Sequence, residues 1–130
     1  MKYLTYIYVL IFLLVSGAGS THAQSSGFFE TLYDIPMMKG MEELPEMAMS
    51  FDKPNGRIAE VGAIAPNVSE AVIIDFYNTA LFQMGWLPEG ARKGRYEYTR
   101  EDETLAIFFD KSNASLVVRF VLEPAPQLGQ

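Results

Sequence analysis

The chain has 130 residues, which is enough for one domain of ordinary size. Its 16 Asp and Glu residues outnumber the 10 Lys and Arg residues, and the resulting net charge of −6 argues against a nucleic-acid binder, which usually carries a basic excess. Hydrophobic residues make up 49% of the composition, which is typical of a globular rather than a disordered protein. The absence of Cys excludes disulfides, thiolate zinc sites, cysteine nucleophiles and lipid attachment through cysteine.

Residues 1–23 have the pattern of a secretory signal peptide. Lys2 supplies a positive charge before a largely apolar run at residues 3–15, and the small residues Thr21 and Ala23 suit a signal peptidase. An uncleaved membrane anchor is the alternative, but the apolar run is shorter than the ~20 residues that cross a bilayer. We therefore expect cleavage after Ala23 and no transmembrane segment in the mature chain.

Cleavage would change which chemistries the protein can perform. The mature chain, residues 24–130, would lose both Lys2 and His22, and its net charge would become −7. It would then contain neither His nor Cys, so a Ser-His-Asp triad, a Cys-His pair and an imidazole metal site would all be excluded. This inventory favours binding over catalysis.

The first part of the mature chain predicts an irregular segment followed by a hairpin. Residues 24–47 are rich in Met and are interrupted by Gly and Pro, so we expect irregular structure there. A short strand is predicted at residues 48–52 and a second at residues 57–64. Between them, Pro54 and the Asn-Gly pair that follows it are a strong turn signal.

Residues 69–84 carry the clearest secondary-structure signal. Ser69 is a good N-cap, with Asn67 as the competing cap, and Gly85 is a natural residue just beyond the end of a helix. Apolar side chains recur with helical periodicity on one stripe. The stripe consists of Ile73, Phe76, Tyr77, Ala80, Leu81 and Met84.

The last part of the domain predicts a loop at residues 88–94 and then a meander of three strands. The strands are expected at residues 95–100, 104–110 and 115–123, with prolines ending the sheet and a tail at residues 125–130. The fold class is therefore α+β, with a domain at residues 48–124. One amphipathic helix packs on an antiparallel sheet of four or five strands, in the order β-β-α-β-β-β.

Alternation within the meander assigns its residues to two faces of the sheet. The face expected to meet the helix carries Leu105, Ile107, Phe109, Leu116, Val118, Phe120 and Leu122. Phe108, Val117 and Val121 fall on the opposite face, so we interpret them as candidate contacts for a partner.

The helix and its exit resemble a group of small exported bacterial proteins of unknown function, which we associate with alphaproteobacteria. The shared pattern consists of Phe76, Tyr77, Leu81, Gly85 and Trp86. Residues 51–60 and 32–36 look like the same group, so the resemblance covers roughly residues 29–124. It implies a bacterial exported protein, hence a periplasmic one, and it implies no activity and no catalytic residues.

The methionine thioethers are the most distinctive chemical feature of the sequence. Met38, Met41, Met47 and Met49 offer soft sulfur ligands of the kind that bind Cu(I), but ordinary packing by adaptable side chains is the favoured explanation, with contact to a partner as a further alternative. Arg92, Lys93, Arg95 and Arg100 form a local basic cluster that could meet an anionic group or simply lie in solvent.

The sequence thus predicts a small exported, periplasmic, non-catalytic interaction or accessory protein that needs no cofactor. Its partner would be another envelope protein or a second copy of itself, and not a nucleic acid. The alternative is a module that binds a small ligand or a metal, Cu(I) through methionine being the concrete version. A small hydrolase that works without His or Cys is less favoured.

Overall fold

The computed structural model describes residues 27–112 and 115–127. The predicted signal peptide, with its cleavage site after Ala23 and with His22, lies outside the described residues. The elements are β1 (Glu42–Lys53), β2 (Gly56–Ala65), α1 (Glu70–Gln83), β3 (Leu87–Arg92), β4 (Arg95–Arg100), β5 (Glu103–Ser112) and β6 (Ser115–Pro124).

The strands form one antiparallel sheet in the order β1-β2-β6-β5-β4-β3. After β2, the chain passes through α1 to the far edge of the sheet and returns strand by strand until β6 pairs with β2. The α+β class, the single domain and the one helix on an antiparallel sheet are therefore confirmed for the described residues. The predicted strand count is too low, because the sheet has six strands.

The strand that the sequence did not predict is β3. Pro88 and Gly90 predict a loop. The strand accommodates both because it lies at an edge of the sheet, where it can lack an N–H donor and tolerate a register shift. The turn into β4 has positive φ at both central residues, Lys93 (53°) and Gly94 (75°), as in a tight two-residue hairpin. The first strand also differs, since β1 begins at Glu42 rather than at residue 48.

The ends of α1 follow local capping rules. The Ser69 side chain accepts a hydrogen bond from the Val72 N–H at 3.4 Å, so Ser69 is the N-cap. At the other end Gly85 has φ of +87°, and the Trp86 N–H donates to the Leu81 carbonyl at 3.0 Å, which is a Schellman ending. This ending turns Trp86 back into the core, where it is fully buried.

The hydrophobic core lies on one side of the sheet, which we call the covered face. Two pieces of chain lie over it: α1, through Ile73, Tyr77 and Leu81, and residues 28–41, which we call the N-terminal segment. The core side chains of the N-terminal segment are Phe29, Leu32, Ile35, Met38 and Met41.

Two contacts hold the N-terminal segment against the rest of the domain. The rings of Phe29 and Phe120 have centroids 4.8 Å apart. The Tyr77 hydroxyl donates a hydrogen bond to the Pro36 carbonyl at 2.9 Å, which joins α1 to the segment. The N-terminal segment is therefore part of the domain rather than a tail.

Candidate interaction surface

The opposite side of the sheet, which we call the open face, has no helix over it in the described part of the chain. Its side chains come from the residues that alternate with the covered-face residues, and the cross-strand registers align them in rows. Ala106 is buried on this face, and the larger apolar side chains are half-buried or exposed. These are Met49, Phe51, Ile58, Ile64, Phe108, Val117 and Val121. The open face is thus apolar enough to be a contact surface, yet nothing in the described part of the chain packs over it as a second layer.

A stack of one aromatic ring and two guanidinium groups lies in the middle of the open face. Phe108 on β5 is the cross-strand neighbour of Arg95 on β4 and of Arg119 on β6. The Arg95 guanidinium carbon is 5.3 Å from the centroid of the Phe108 ring, and the Arg119 carbon is 5.0 Å from it. Cation–π contact with both arginines therefore orients Phe108 on this face.

Arg119 forms only long ion pairs with its acidic neighbours. Its nearest carboxylates, those of Glu60 and Asp110, are 3.6 and 3.9 Å away, both beyond good hydrogen-bonding distance. Among the described residues its Nε–H, although buried, has no hydrogen-bond acceptor. A buried donor without a partner costs roughly 1–3 kcal/mol, and because this Nε atom is inaccessible to solvent, a molecule on the open face cannot supply the missing acceptor unless neighbouring side chains move.

The structure places all three predicted partner-contact residues together. Phe108, Val117 and Val121 lie on the open face of the adjacent strands β5 and β6. Each is half-buried, as expected for a side chain that rests on a sheet and has one side uncovered. Their role in binding stays a prediction. Arg95 belongs to the predicted basic cluster, but no local pattern indicated Arg119 or the contact of either arginine with Phe108.

Both edges of the sheet are poorly suited to pairing with another strand. The edge strand β1 carries Pro45 within a register irregularity between Leu44 and Met49. The other edge strand, β3, carries Pro88 and a register shift before Gly90. Bulges and prolines are common protections of exposed edges, so the open face is a better contact surface than either edge.

The four methionines proposed as copper ligands do not converge. Met38 and Met41 are buried in the core on the covered face, where the Met41 sulfur lies 3.8 Å from the Tyr77 hydroxyl. Met47 lies against the backbone of Gly62 on the open face, and Met49 is 47% exposed there. The sheet separates the two pairs, so the four sulfurs cannot bind one ion.

The predicted basic cluster is divided in the same way. Arg92 and Arg95 are cross-strand neighbours next to the turn that contains Lys93. Arg100 lies at the other end of β4, where it stacks over Trp86 with its guanidinium carbon 4.4 Å from the ring centroid. Only three of the four cations therefore form a basic corner.

Arg100 instead belongs to a cluster of two cations and two anions, which we call the ion-pair cluster. Asp34 accepts hydrogen bonds from Arg57 at 2.8 Å and from Arg100 at 2.6 Å. Glu103 accepts from Arg57 at 2.9 Å. Burial alone would raise the pKa of the Asp34 carboxyl, but the hydrogen bonds from Arg57 and Arg100 outweigh it and hold this pKa below its usual value. The cluster fastens the N-terminal segment to the sheet.

A groove of about 550 Å³ runs between α1 and the N-terminal segment. Its walls include Met38 from the segment, and Val72 and Phe76 from α1, with Lys39 and Asp75 also among its lining residues. This volume is within the range of small-molecule pockets.

Comparison of the chain with protein-family models, with curated proteins and with solved structures finds no match. Within residues 27–112 and 115–127, no helix is both long and apolar enough to cross a membrane. The same residues contain no group of three or more His, Asp or Glu side chains placed to hold a metal ion.

Proposed function

We propose that this protein is exported to the bacterial periplasm and acts there, without catalysis, by binding another protein through its open face. The observation that carries the proposal is the stack of Arg95, Phe108 and Arg119 on a sheet surface that no other described element covers. Aromatic and Arg side chains are the types most enriched at the energetic centres of protein interfaces. The signal-peptide pattern of residues 1–23 supports export.

The state of the main charged cluster supports a non-catalytic role. General-acid catalysis needs a carboxyl whose pKa is raised toward the working pH. Asp34 has the opposite shift, because two arginines stabilise its carboxylate. The Asp34 carboxylate is therefore suited to holding the fold together rather than to moving protons.

The groove beside α1 supports a second candidate function, the binding of a small apolar ligand. Its size and its apolar lining by Val72 and Phe76 favour this version of a ligand-binding module over the Cu(I) version. The four methionines do not converge, so they cannot together form a Cu(I) site.

An affinity capture from envelope extract tests the two candidates against each other. We expect the wild-type protein to retain a partner that Val121→Lys, which puts a charge on the open face, fails to retain. Val72→Lys is the matched control, because it makes the same change at an exposed position of α1. Loss of the partner with Val72→Lys but not with Val121→Lys would instead favour the groove, and equal retention by all three proteins would contradict the proposed function.

A further inference from the structure

We propose that the turn between β1 and β2 is a site of spontaneous deamidation, where Asn55 reacts with the backbone nitrogen of Gly56 and loosens the edge of the sheet. The proposal is independent of the proposed function, because it concerns the covalent structure of the chain and not a partner. It follows from three features of the turn: the residue that follows Asn55, the exposure of the turn and the edge position of β1.

Asn55 is followed by the residue that hinders the reaction least. The chain contains four Asn residues, and the three others are followed by Val68, Thr79 and Ala114. Gly alone has no side chain on the carbon next to its backbone nitrogen. The nitrogen of Gly56 can therefore approach the side-chain carbonyl carbon of Asn55 without a steric clash, and the other three Asn residues are internal controls.

The reaction is a ring closure that consumes only water. The deprotonated backbone nitrogen of Gly56 attacks the side-chain carbonyl carbon of Asn55, a new C–N bond forms, and the side-chain nitrogen leaves as ammonia. The cyclic imide then takes up one water molecule and opens at one of its two carbonyl groups. One opening gives aspartate, and the other gives isoaspartate, in which the former side-chain methylene is part of the main chain.

The geometry of the turn favours Gly over any residue with a side chain at its last position. β1 ends at Lys53 and β2 begins at Gly56, whose φ is +136°, a value that residues with a side chain rarely adopt. A Cβ atom on Gly56 would also lie 3.1 Å from Cγ of Pro124. The hairpin thus favours the same residue that makes Asn55 reactive.

The exposure of the turn allows the two groups to meet in the folded protein. All of residues 51–56 are exposed. Exposed loop tips open locally at little cost in free energy, so Asn55 can reach the attacking geometry while the core stays folded. Asn78 is a contrast, because it lies within α1 and its side chain accepts a hydrogen bond from the Tyr98 hydroxyl at 2.8 Å.

The two products should affect the hairpin differently. Aspartate keeps the turn, since Asp-Gly and Asn-Gly suit the same turns. Isoaspartate lengthens the main chain of a two-residue turn, which strains the pairing of Lys53 with Gly56. In the described part of the chain β1 pairs only with β2, and this pairing is irregular between Leu44 and Met49. Residues 49–53 should therefore separate from β2 while the rest of the sheet stays intact.

Peptide mass spectrometry of the purified folded protein, stored at mildly alkaline and at mildly acidic pH, tests the reaction. We expect the mass change from amide to acid to accumulate at Asn55, and to do so faster at alkaline pH because the attacking nitrogen must lose its proton. The other three Asn residues should change far less. Digestion at acidic pH keeps deamidation during sample handling low.

Asn55→Ser is the control variant, because Ser also suits turns but has no side-chain carbonyl group. It should accumulate no isoaspartate, as measured by enzymatic methylation of isoaspartyl groups, whereas the stored wild-type protein should. Deamidation of Asn55 no faster than that of the other three Asn residues would overturn the proposal. Deamidation in urea but not in the folded protein would also overturn it, since the turn would then protect Asn55.

Hydrogen exchange tests the consequence for the sheet edge. Deamidated protein can be separated by anion exchange through its added negative charge. Its residues 49–53 should exchange faster than those of Asn55→Ser, and β6 should exchange at the same rate in both. Asn55→Asp, which carries the charge without the longer main chain, should resemble Asn55→Ser. Equal exchange in all three proteins would contradict the loosening of β1, and faster exchange in β6 would show that the whole sheet opens instead.

Discussion

The two faces of the sheet are built from alternate residues of the same strands, but different forces hold their side chains in place. On the covered face, Phe120 and Val61 have no exposed surface, because α1 and the N-terminal segment pack over them. On the open face, Phe108 remains half-exposed and is held by Arg95 and Arg119. The covered face therefore accounts for most of the stability, and the open face remains available for binding.

Substitution of one phenylalanine on each face should give the largest difference in the free energy of unfolding between the two faces. We expect Phe120→Ala to lower the free energy of unfolding by about 3–5 kcal/mol, because it leaves a cavity in the core. Phe108→Ala should cost only about 1–2 kcal/mol, since its ring is already in partial contact with water. Urea unfolding at a low protein concentration measures both without a contribution from association. Equal losses would mean that the open face is also part of the structural core.

A smaller loss of stability is expected on substitution in the ion-pair cluster, which fastens the N-terminal segment to the sheet. Asp34→Asn should lower the free energy of unfolding at pH 7 by about 1–3 kcal/mol, because it weakens charged hydrogen bonds from Arg57 and Arg100. Asp75→Asn, at an exposed position of α1, is the matched control and should change little.

The pH dependence of this effect has a definite sign. Because the Asp34 pKa is lowered in the folded protein, the stability that it contributes is fully present above its unfolded value of about 4. That stability is lost as pH falls through the lowered pKa of the folded state. The difference between wild type and Asp34→Asn should therefore shrink below about pH 4, and a difference that grows on acidification would contradict this account.

The smallest expected effect concerns Met47, which lies against the backbone of Gly62 on the open face. A Cβ atom at residue 62 would come within 2.6 Å of the Met47 sulfur, so Gly62→Ala must displace this flexible side chain. In the Met47→Ala background the same substitution should stabilise the protein by about 0.5–1 kcal/mol, the usual gain of Ala over Gly in a strand. In the wild-type background most of that gain should disappear. Equal effects in the two backgrounds of this double-mutant cycle would show that the two residues do not interact.

The parts of the fold that depend on neighbours in the chain were predictable. Ser69 caps α1 and Gly85 ends it because capping involves groups only a few residues apart. Alternation likewise placed Phe108, Val117 and Val121 on one face, since successive side chains of a strand point to opposite sides. By contrast, β3 was predicted as a loop, because its Pro and Gly are unfavourable in a strand unless the strand lies at an edge, and edge position is a property of the whole sheet.

The central contacts of the candidate site could not be predicted from the sequence. Placing Arg119 beside Phe108 requires the register between β5 and β6, and placing Asp34 between two arginines requires the path of the N-terminal segment. Neither follows from a local pattern, because both join residues that are distant along the chain.

Local sequence patterns were enough to predict the fold class, the helix with its two ends and the division of the meander into two faces, because each depends on periodicity or capping within one element. Contacts between distant parts of the chain set three other features: the N-terminal segment packs on the covered face, β3 completes the sheet, and Arg95 and Arg119 flank Phe108. The tertiary structure also separated the methionines and the basic residues that lie close together in sequence. The physical reason is that a sheet brings distant strands into contact and places neighbouring residues on opposite sides.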